Sequence, residues 1–219
     1  HDRARFRFLQ VSTDEVFGSL GDAACFDESS PYAPNSPYAA SKASADHFVR
    51  AYHRTYGLPA LISNGTNTFG PYQFPEKLIP RAILKALAGE AIPVYGDGCQ
   101  VRDWLHVDDH ARALYRILTH GRPGESYGIG GANPRRNIDL VREICGYLDS
   151  LYPRRDGRPF AQQIAFVPDR PGHDRGYAMD SGKLRRELGW APEQSDRDGL
   201  RETVAWYTNP DAAWRDRCS

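Results

Sequence analysis

The chain has 219 residues, with 28 Lys plus Arg against 28 Asp plus Glu and a formal net charge of zero. That length suffices for one domain with a sizeable core, or for a domain and a smaller lobe, and the charge balance supplies no global field to draw nucleic acid or an anionic membrane. No stretch approaches the roughly 20 apolar residues of a membrane span, and the N-terminal HDRARFRF is not a signal peptide. A cytoplasmic protein is therefore expected, with neither nucleic-acid nor membrane partners. Cys25, Cys99, Cys145 and Cys218 form no C-x-x-C pair, so no disulfide framework and no metal site is expected.

In chain order, RFRFLQVS predicts a buried strand through Phe6, Phe8, Leu9 and Val11. It ends in Ser12, Thr13, Asp14 and Glu15, a hydroxyl pair followed by adjacent carboxylates. Successive strand residues face opposite sides, so two acids that work together need a bend or a helix start at Asp14. The plainer alternative is that Ser12, Thr13 or Asp14 caps a short helix. An irregular stretch then leads to a helix over about Tyr38 to Tyr56, with Asn35 or Ser36 as cap, Pro37 in the first turn and Gly57 at the end.

PALISN reads as a second strand, GTNTFGPYQFPEKL as a loop, and PRAILKALAG as a helix closed by Gly89. Then come the strand IPVYG, the turn DGCQ, the strand DWLHV, the helix DHARALYRILTHG and the strand ESYGIGG. A helix from about Ile138 to Leu151, the strand IAFVP, the loop DRPGHDRGYAMD and helices near Lys183 to Leu188 and Gly199 to Tyr207 complete the pattern. Such alternation predicts an α/β fold with a mostly parallel sheet, and the more irregular segments from about Arg154 onward predict a small lobe. His106 and His110 stand on a strand and the following helix, share no helix face, and are not expected to bind zinc.

Tyr38 and Lys42, four residues apart, lie on one helical face. A lysine ammonium one turn from a phenol favours the phenolate and lowers its pKa from about 10, which makes a usable base. By itself Y-x-x-x-K is a common pair, and taken alone it reads rather as an amphipathic surface helix.

Its context is more specific. A strand ending in STDE and then a helix carrying Tyr38 and Lys42 resembles the extended short-chain dehydrogenase/reductase family, in its dTDP-hexose 4,6-dehydratase branch. The matching stretches are STDEVFG, SPYAASKASADH, SNGTNTFGPYQFPEKLIPRAI, VRDWLHVDDHARAL, YGIGGANPRRN and DRPGHDRGYAMD. The resemblance implies a partial Rossmann-like, doubly wound parallel sheet with a small C-terminal substrate-binding lobe. Residues 1–153 would be the NAD-binding part with interleaved substrate-binding segments, and 154–219 mainly the lobe.

The resemblance also implies a lyase that dehydrates dTDP-glucose to dTDP-4-keto-6-deoxyglucose, with NAD as cofactor and a homodimer through the Tyr38 helix. Tyr38, aided by Lys42, would take the proton of the sugar 4-hydroxyl, and Thr13 would hydrogen-bond it. Glu15 would remove the C5 proton and Asp14 would protonate the departing C6 hydroxyl. Ser12, Tyr38, Lys42 and Asn67 would face the cofactor. Thr13, Asn67, Lys77, Leu78, Pro93, Tyr95, Arg102, Asn137, Arg170 and His173 would face the sugar nucleotide, with Arg102 and Arg170 at the diphosphate. From the residues alone, Arg102 also has Asp103 and Asp108 as neighbours for an ion pair. Asn137 can equally cap the helix at Ile138, and Tyr95 can be core.

The sequence departs from the family in lacking the G-x-x-G-x-x-G turn that holds the NAD diphosphate. His1 lies just before the strand that carries STDE, so a truncated dehydratase is the expectation, with sheet edges exposed and a tendency to aggregate. Gly65 and Thr68 stand where the family carries a Cys and a second Asn, which removes one expected cofactor-amide contact.

Overall fold

In the computed structural model, which describes residues 6–20 and 25–209, strands and helices alternate as foreseen. The order is β1 (Phe8–Thr13), a 3₁₀ turn (Asp14–Phe17), α1 (Pro37–Tyr56), β2 (Ala60–Gly65), β3 (Asn67–Phe69), α2 (Leu78–Leu87), β4 (Ile92–Tyr95) and β5 (Val101–His106). It continues with α3 (Val107–His120), β6 (Ser126–Ile129), β7 (Pro134–Arg136), α4 (Asn137–Leu151), a second 3₁₀ turn (Phe160–Gln163), β8 (Ile164–Val167), β9 (Gly176–Tyr177), α5 (Gly182–Leu188) and α6 (Asp196–Thr208). Cys218 lies outside the described residues.

Local chemistry sets these boundaries. Ser36 caps α1 by accepting the Ala39 amide proton, Pro37 occupies the first turn, and Gly57 ends the helix at a φ of 67°, a left-handed conformation that glycine adopts without a Cβ clash. His106 caps α3 through its ring nitrogen, and Asp108 and Asp109 place negative charge in that helix's first turn, where the dipole favours it.

The chain divides into two compact units that interleave along the sequence. One comprises His1–Thr68, Arg102–Pro134 and Asp174–Glu193; the other comprises Phe69–Val101, Arg135–His173 and Gln194–Ser219. The segment after Arg154 is thus no single block, because residues 174–193 with α5 belong to the first unit.

In the first unit β1, β2 and β6 form a parallel sheet in the order β1-β2-β6. All six residues of β2 are buried, as a central strand covered on both faces requires. Leu61, Leu105, Ala113, Ile117, Tyr127, Ile129, Leu184 and Trp190 form its main core cluster. Among the described residues β1 has one strand neighbour, β2, and the expected burial of this strand is not seen in them: Phe6, Phe8 and Val11 are exposed and Leu9 half-buried.

In the second unit β4 pairs in parallel with β8, from Ile92↔Ile164 to Tyr95↔Val167. Helices α2, α4 and α6 pack together and bury Ile79, Ile83, Ile144, Leu148, Leu200 and Val204. In β4 the pattern alternates: Ile92 and Val94 are buried, while Pro93 and Tyr95 share the other, half-buried face.

Candidate active site

The parallel register aligns Ser12 with Asn64 and Thr13 with Gly65, so the carboxyl ends of β1 and β2 meet at one edge. Ligands of open parallel α/β sheets bind at such edges. The sequence left open whether STDE bends or caps, and the structure does both with one residue. Thr13, in extended conformation, accepts the Glu15 amide proton on Oγ1 at 3.3 Å and starts the 3₁₀ turn Asp14–Phe17. The chain thus leaves the extended conformation at Asp14, where two cooperating acids need a bend.

Their surroundings differ. Asp14 is 2% exposed and Glu15 half-buried. Burial pushes the Asp14 carboxyl up to about 7, and the negative charges of Glu15 and Asp103 add to the rise. Hydrogen bonds from Thr66 and Thr13 pull the other way without cancelling it. A carboxyl with such a value carries a proton through much of the neutral range and can donate it.

Asp103 is itself fully buried, and its oxygens accept the amide protons of Gly131 (2.8 Å) and Asn133 (2.7 Å). YGIGGAN is therefore a strand end and turn, as the sequence indicated, and it is clasped by Asp103.

Tyr38 opens α1 and is 54% exposed. Here the structure corrects an expectation. Desolvation, with the Glu15 and Asp14 charges, pushes the Tyr38 phenol above its ordinary value, instead of Lys42 drawing it down. Lys42 Nζ donates to the Val11 carbonyl at 2.7 Å, so its ammonium is anchored to β1. Ser12 is buried and its hydroxyl donates inward to Asp46 Oδ2 at 2.6 Å. Asn67 begins β3 and is half-buried. Gly65 leaves the room that the His110 ring occupies, since a Cβ there would lie 2.8 Å from His110 Cε1, and His110 Nδ1 meets the Thr68 hydroxyl at 2.5 Å. Burial lowers the His110 pKa.

Arg102 is buried, with its guanidinium 4.5 Å above the Tyr177 ring centre and Nη2 donating to the Asp174 carbonyl. The carboxylate of its neighbour Asp103 is occupied by backbone amides.

The second unit gathers most of the remaining candidates. Arg170 lies 5.2 Å above the Tyr95 ring, and the Tyr95 hydroxyl accepts a hydrogen bond from Arg81 at 3.1 Å. Tyr95 is therefore not core. His173 Nδ1 meets Asp169 Oδ1 at 2.6 Å, and its Nε2 meets Arg170 Nη2 at 2.9 Å. With the ionised Asp169 accepting the Nδ1 proton, Nε2 keeps a lone pair for the guanidinium.

Asn137 is the first residue of α4, and the cap is Arg136, without a side-chain cap bond. The capping alternative thus falls, and Asn137 Oδ1 is buried without a hydrogen-bond partner among the described residues. Lys77 is the exposed residue before α2 and Leu78 its half-buried first residue.

Sequence reasoning missed Asp46, Tyr32, Asn64, Thr66 and Asp103. Asp46 carried a faint signal, an acid one turn beyond Lys42, which on its own reads as a solvent-facing ion pair.

A parallel sheet flanked by helices, with hydroxyl and carboxylate groups at its strand ends beside a Tyr/Lys helix, defines a Rossmann-like α/β protein. The chain belongs to the family described as GDP-mannose 4,6 dehydratase, whose sequence profile matches residues 1–203. It is 60% identical over 205 residues to a dTDP-glucose 4,6-dehydratase of Xanthomonas campestris pv. campestris (strain ATCC 33913), covering 94% of this chain and 58% of that protein. The crystal structure of a dTDP-glucose 4,6-dehydratase from Bacillus anthracis in complex with NAD superposes with a TM-score of 0.87 at 45% identity, over 96% of this chain and 64% of that one. A dTDP-glucose 4,6-dehydratase from Streptomyces venezuelae with NAD bound gives 0.84 at 49% identity, over 92% of this chain and 59% of that one. The chain thus spans about 58% of the length of the curated relative.

Proposed function

We propose that this chain carries the proton-transfer and substrate-binding groups of a dTDP-glucose 4,6-dehydratase, a hydro-lyase forming dTDP-4-keto-6-deoxyglucose. The observation that carries the reading is the acid pair: Asp14, buried and raised to about 7, next to the more exposed Glu15. Eliminating water across C5 and C6 of a hexose needs a base for the C5 proton and an acid for the leaving hydroxyl. Two adjacent carboxyls in different surroundings divide those roles.

NAD suits the first unit, where the apolar ring of Tyr38 stands 54% exposed at the head of α1, a surface that a cofactor would cover. Tyr38, Lys42 and Asn67 are the groups that would hold it, while Ser12 acts from behind through Asp46. Bound NAD would supply two-electron chemistry in both directions, oxidation at C4 and, after water and the C5 proton have left, reduction at C6 with C5 regaining a proton, so that the cofactor ends as it began.

This chain's residues move the protons. Tyr38 takes that of the 4-hydroxyl, and Thr13 hydrogen-bonds the same oxygen. With C4 a ketone, the C5 proton is acidic because its carbanion delocalises as an enolate. Glu15 removes it, and Asp14 delivers a proton to the C6 oxygen as the C–O bond breaks. In the first unit the buried guanidinium of Arg102 is the group suited to a diphosphate oxygen; in the second unit, taken by itself, Arg170 is the equivalent cation, with Lys77, Leu78, Pro93, Tyr95, Asn137 and His173 as the groups suited to a nucleotide.

Incubating the purified protein with dTDP-glucose and NAD⁺, followed by mass spectrometry of the sugar nucleotide, is expected to show loss of one water, abolished by Glu15→Gln. A product of unchanged mass would overturn the reading. The exposed Phe48, Tyr52 and Tyr56 on α1 support a homodimer through that helix, and a monomer mass in light scattering would refute it. Free thiols at Cys25 and Cys99, both exposed, suit the reducing cytoplasm. Among the described residues no helix is long and apolar enough to cross a membrane.

A further inference from the structure

Tyr38, Lys42, Asp46 and Arg50 follow one another at four-residue steps along α1, a gently winding stripe on one side of the helix. Each of the last three is tied to the sheet or its cover by a hydrogen bond. Lys42 Nζ donates to the Val11 carbonyl of β1 at 2.7 Å. Asp46 Oδ2 accepts from Ser12 of β1 at 2.6 Å and from the Tyr32 hydroxyl at 2.9 Å. Arg50 Nη2 donates to the Tyr32 hydroxyl at 3.1 Å and to Ser126 Oγ of β6 at 3.3 Å, with its guanidinium 4.8 Å above the Tyr32 ring. From β2, Asn64 Nδ2 donates to the carbonyl of Thr13 at 3.3 Å.

The centre of this network is costly. Asp46 is fully buried, burial raises its pKa against the pull of its hydrogen bonds and of Arg50 and Lys42, and its Oδ1 has no hydrogen-bond partner among the described residues. An apolar residue would pack there without that desolvation. What an apolar residue lacks is direction: dispersion contacts let a helix slide on a sheet, whereas a hydrogen bond fixes the register.

We propose that Asp46 is a positioning residue, which holds the Tyr38–Lys42 end of α1 in register with the Thr13–Asp14–Glu15 strand end by binding Ser12 and Tyr32 at once. The base for the 4-hydroxyl and the acid pair come from different elements, and the reaction needs both on one sugar ring. A shift near 1 Å between them lowers turnover without altering how the nucleotide binds.

The kinetic part of the test rests on the dehydratase reading; the exchange part does not. In the purified protein, Asp46→Leu is expected to lower kcat for dTDP-glucose dehydration roughly tenfold to hundredfold with KM within about twofold of wild type. Asp46→Asn, whose amide oxygen can stand in for Oδ2 and accept from both hydroxyls but carries no charge, recovers part of that loss. Hydrogen–deuterium exchange of the peptide covering residues 11–17 is expected to speed up in Asp46→Leu.

Tyr32→Phe, which removes one donor and leaves the carboxylate in place, covers the case in which Asp46→Leu does not fold, and is expected to shift the same two readouts in the same direction by less. Unchanged exchange in a folded variant, or a kcat loss that only tracks the unfolded fraction, overturns the proposal. If the wild-type protein releases no water from dTDP-glucose, the functional reading fails, and the exchange rate alone decides on the brace.

Discussion

Asp14→Asn keeps the shape of a buried side chain while removing its titration. The Asp14 carboxyl is raised from an ordinary 3.8 to about 7, with burial as the main cause. In the unfolded chain it sheds its proton near pH 4; in the folded chain it keeps it to about 7. Across that window the unfolded state is the one that gains by ionising, so this group's contribution to stability is fully present below pH 4. It declines as pH rises and levels off once the folded carboxyl has also ionised. The distance between 3.8 and about 7 corresponds to about 4 kcal/mol.

Asparagine does not titrate and escapes that loss. Urea unfolding of both proteins from pH 4 to 9 is expected to show the variant gaining on wild type by about 4 kcal/mol between pH 4 and pH 8 or above, on top of any constant offset from exchanging an acceptor for a donor. The same variant is expected to lose dehydration by about a hundredfold or more, since the leaving oxygen has no acid. A stability difference independent of pH would refute the reasoning, because it would mean that the folded carboxyl ionises like a solvated one.

Three further outcomes follow from the geometry. Gly130→Ala would set a Cβ 1.8 Å from the Met179 carbonyl oxygen, a backbone atom that cannot rotate away, and is expected to cost about 1–3 kcal/mol or more in urea unfolding. Leu148→Ala, at a fully buried position of α4, is expected to cost about 2–5 kcal/mol in the same assay. Arg170→Lys replaces a planar fork stacked on Tyr95 and bonded to His173 with a point charge. It is expected to raise KM for dTDP-glucose about tenfold with kcat nearly unchanged, and a fall in kcat at constant KM would remove Arg170 from substrate binding.

The sequence determined the elements. Ser36, Pro37 and Gly57 bound α1 because capping and backbone preference are local, and the alternation of strands with helices predicted a mostly parallel sheet. It also determined that two carboxylates follow a hydroxyl pair at a strand end, and that a turn at Asp14 is needed for them to cooperate. It could not determine how strongly either carboxylate is shifted. Asp14 is held at about 7 by burial and by the charges of Glu15 and Asp103, against hydrogen bonds from Thr66 and Thr13. Thr66 and Asp103 lie 52 and 89 residues further along the chain.

The same limit applies elsewhere. Phe6, Phe8 and Val11 read as buried, yet among the described residues they are exposed, because the cover of a strand face comes from elements distant in the chain. Asp46 drew no reading from the sequence, yet it is buried, where Ser12 and Tyr32 meet it. Helix caps and strand patterns are written over a few neighbouring residues. Desolvation sums over everything that packs around a group, and only the folded chain brings those residues together.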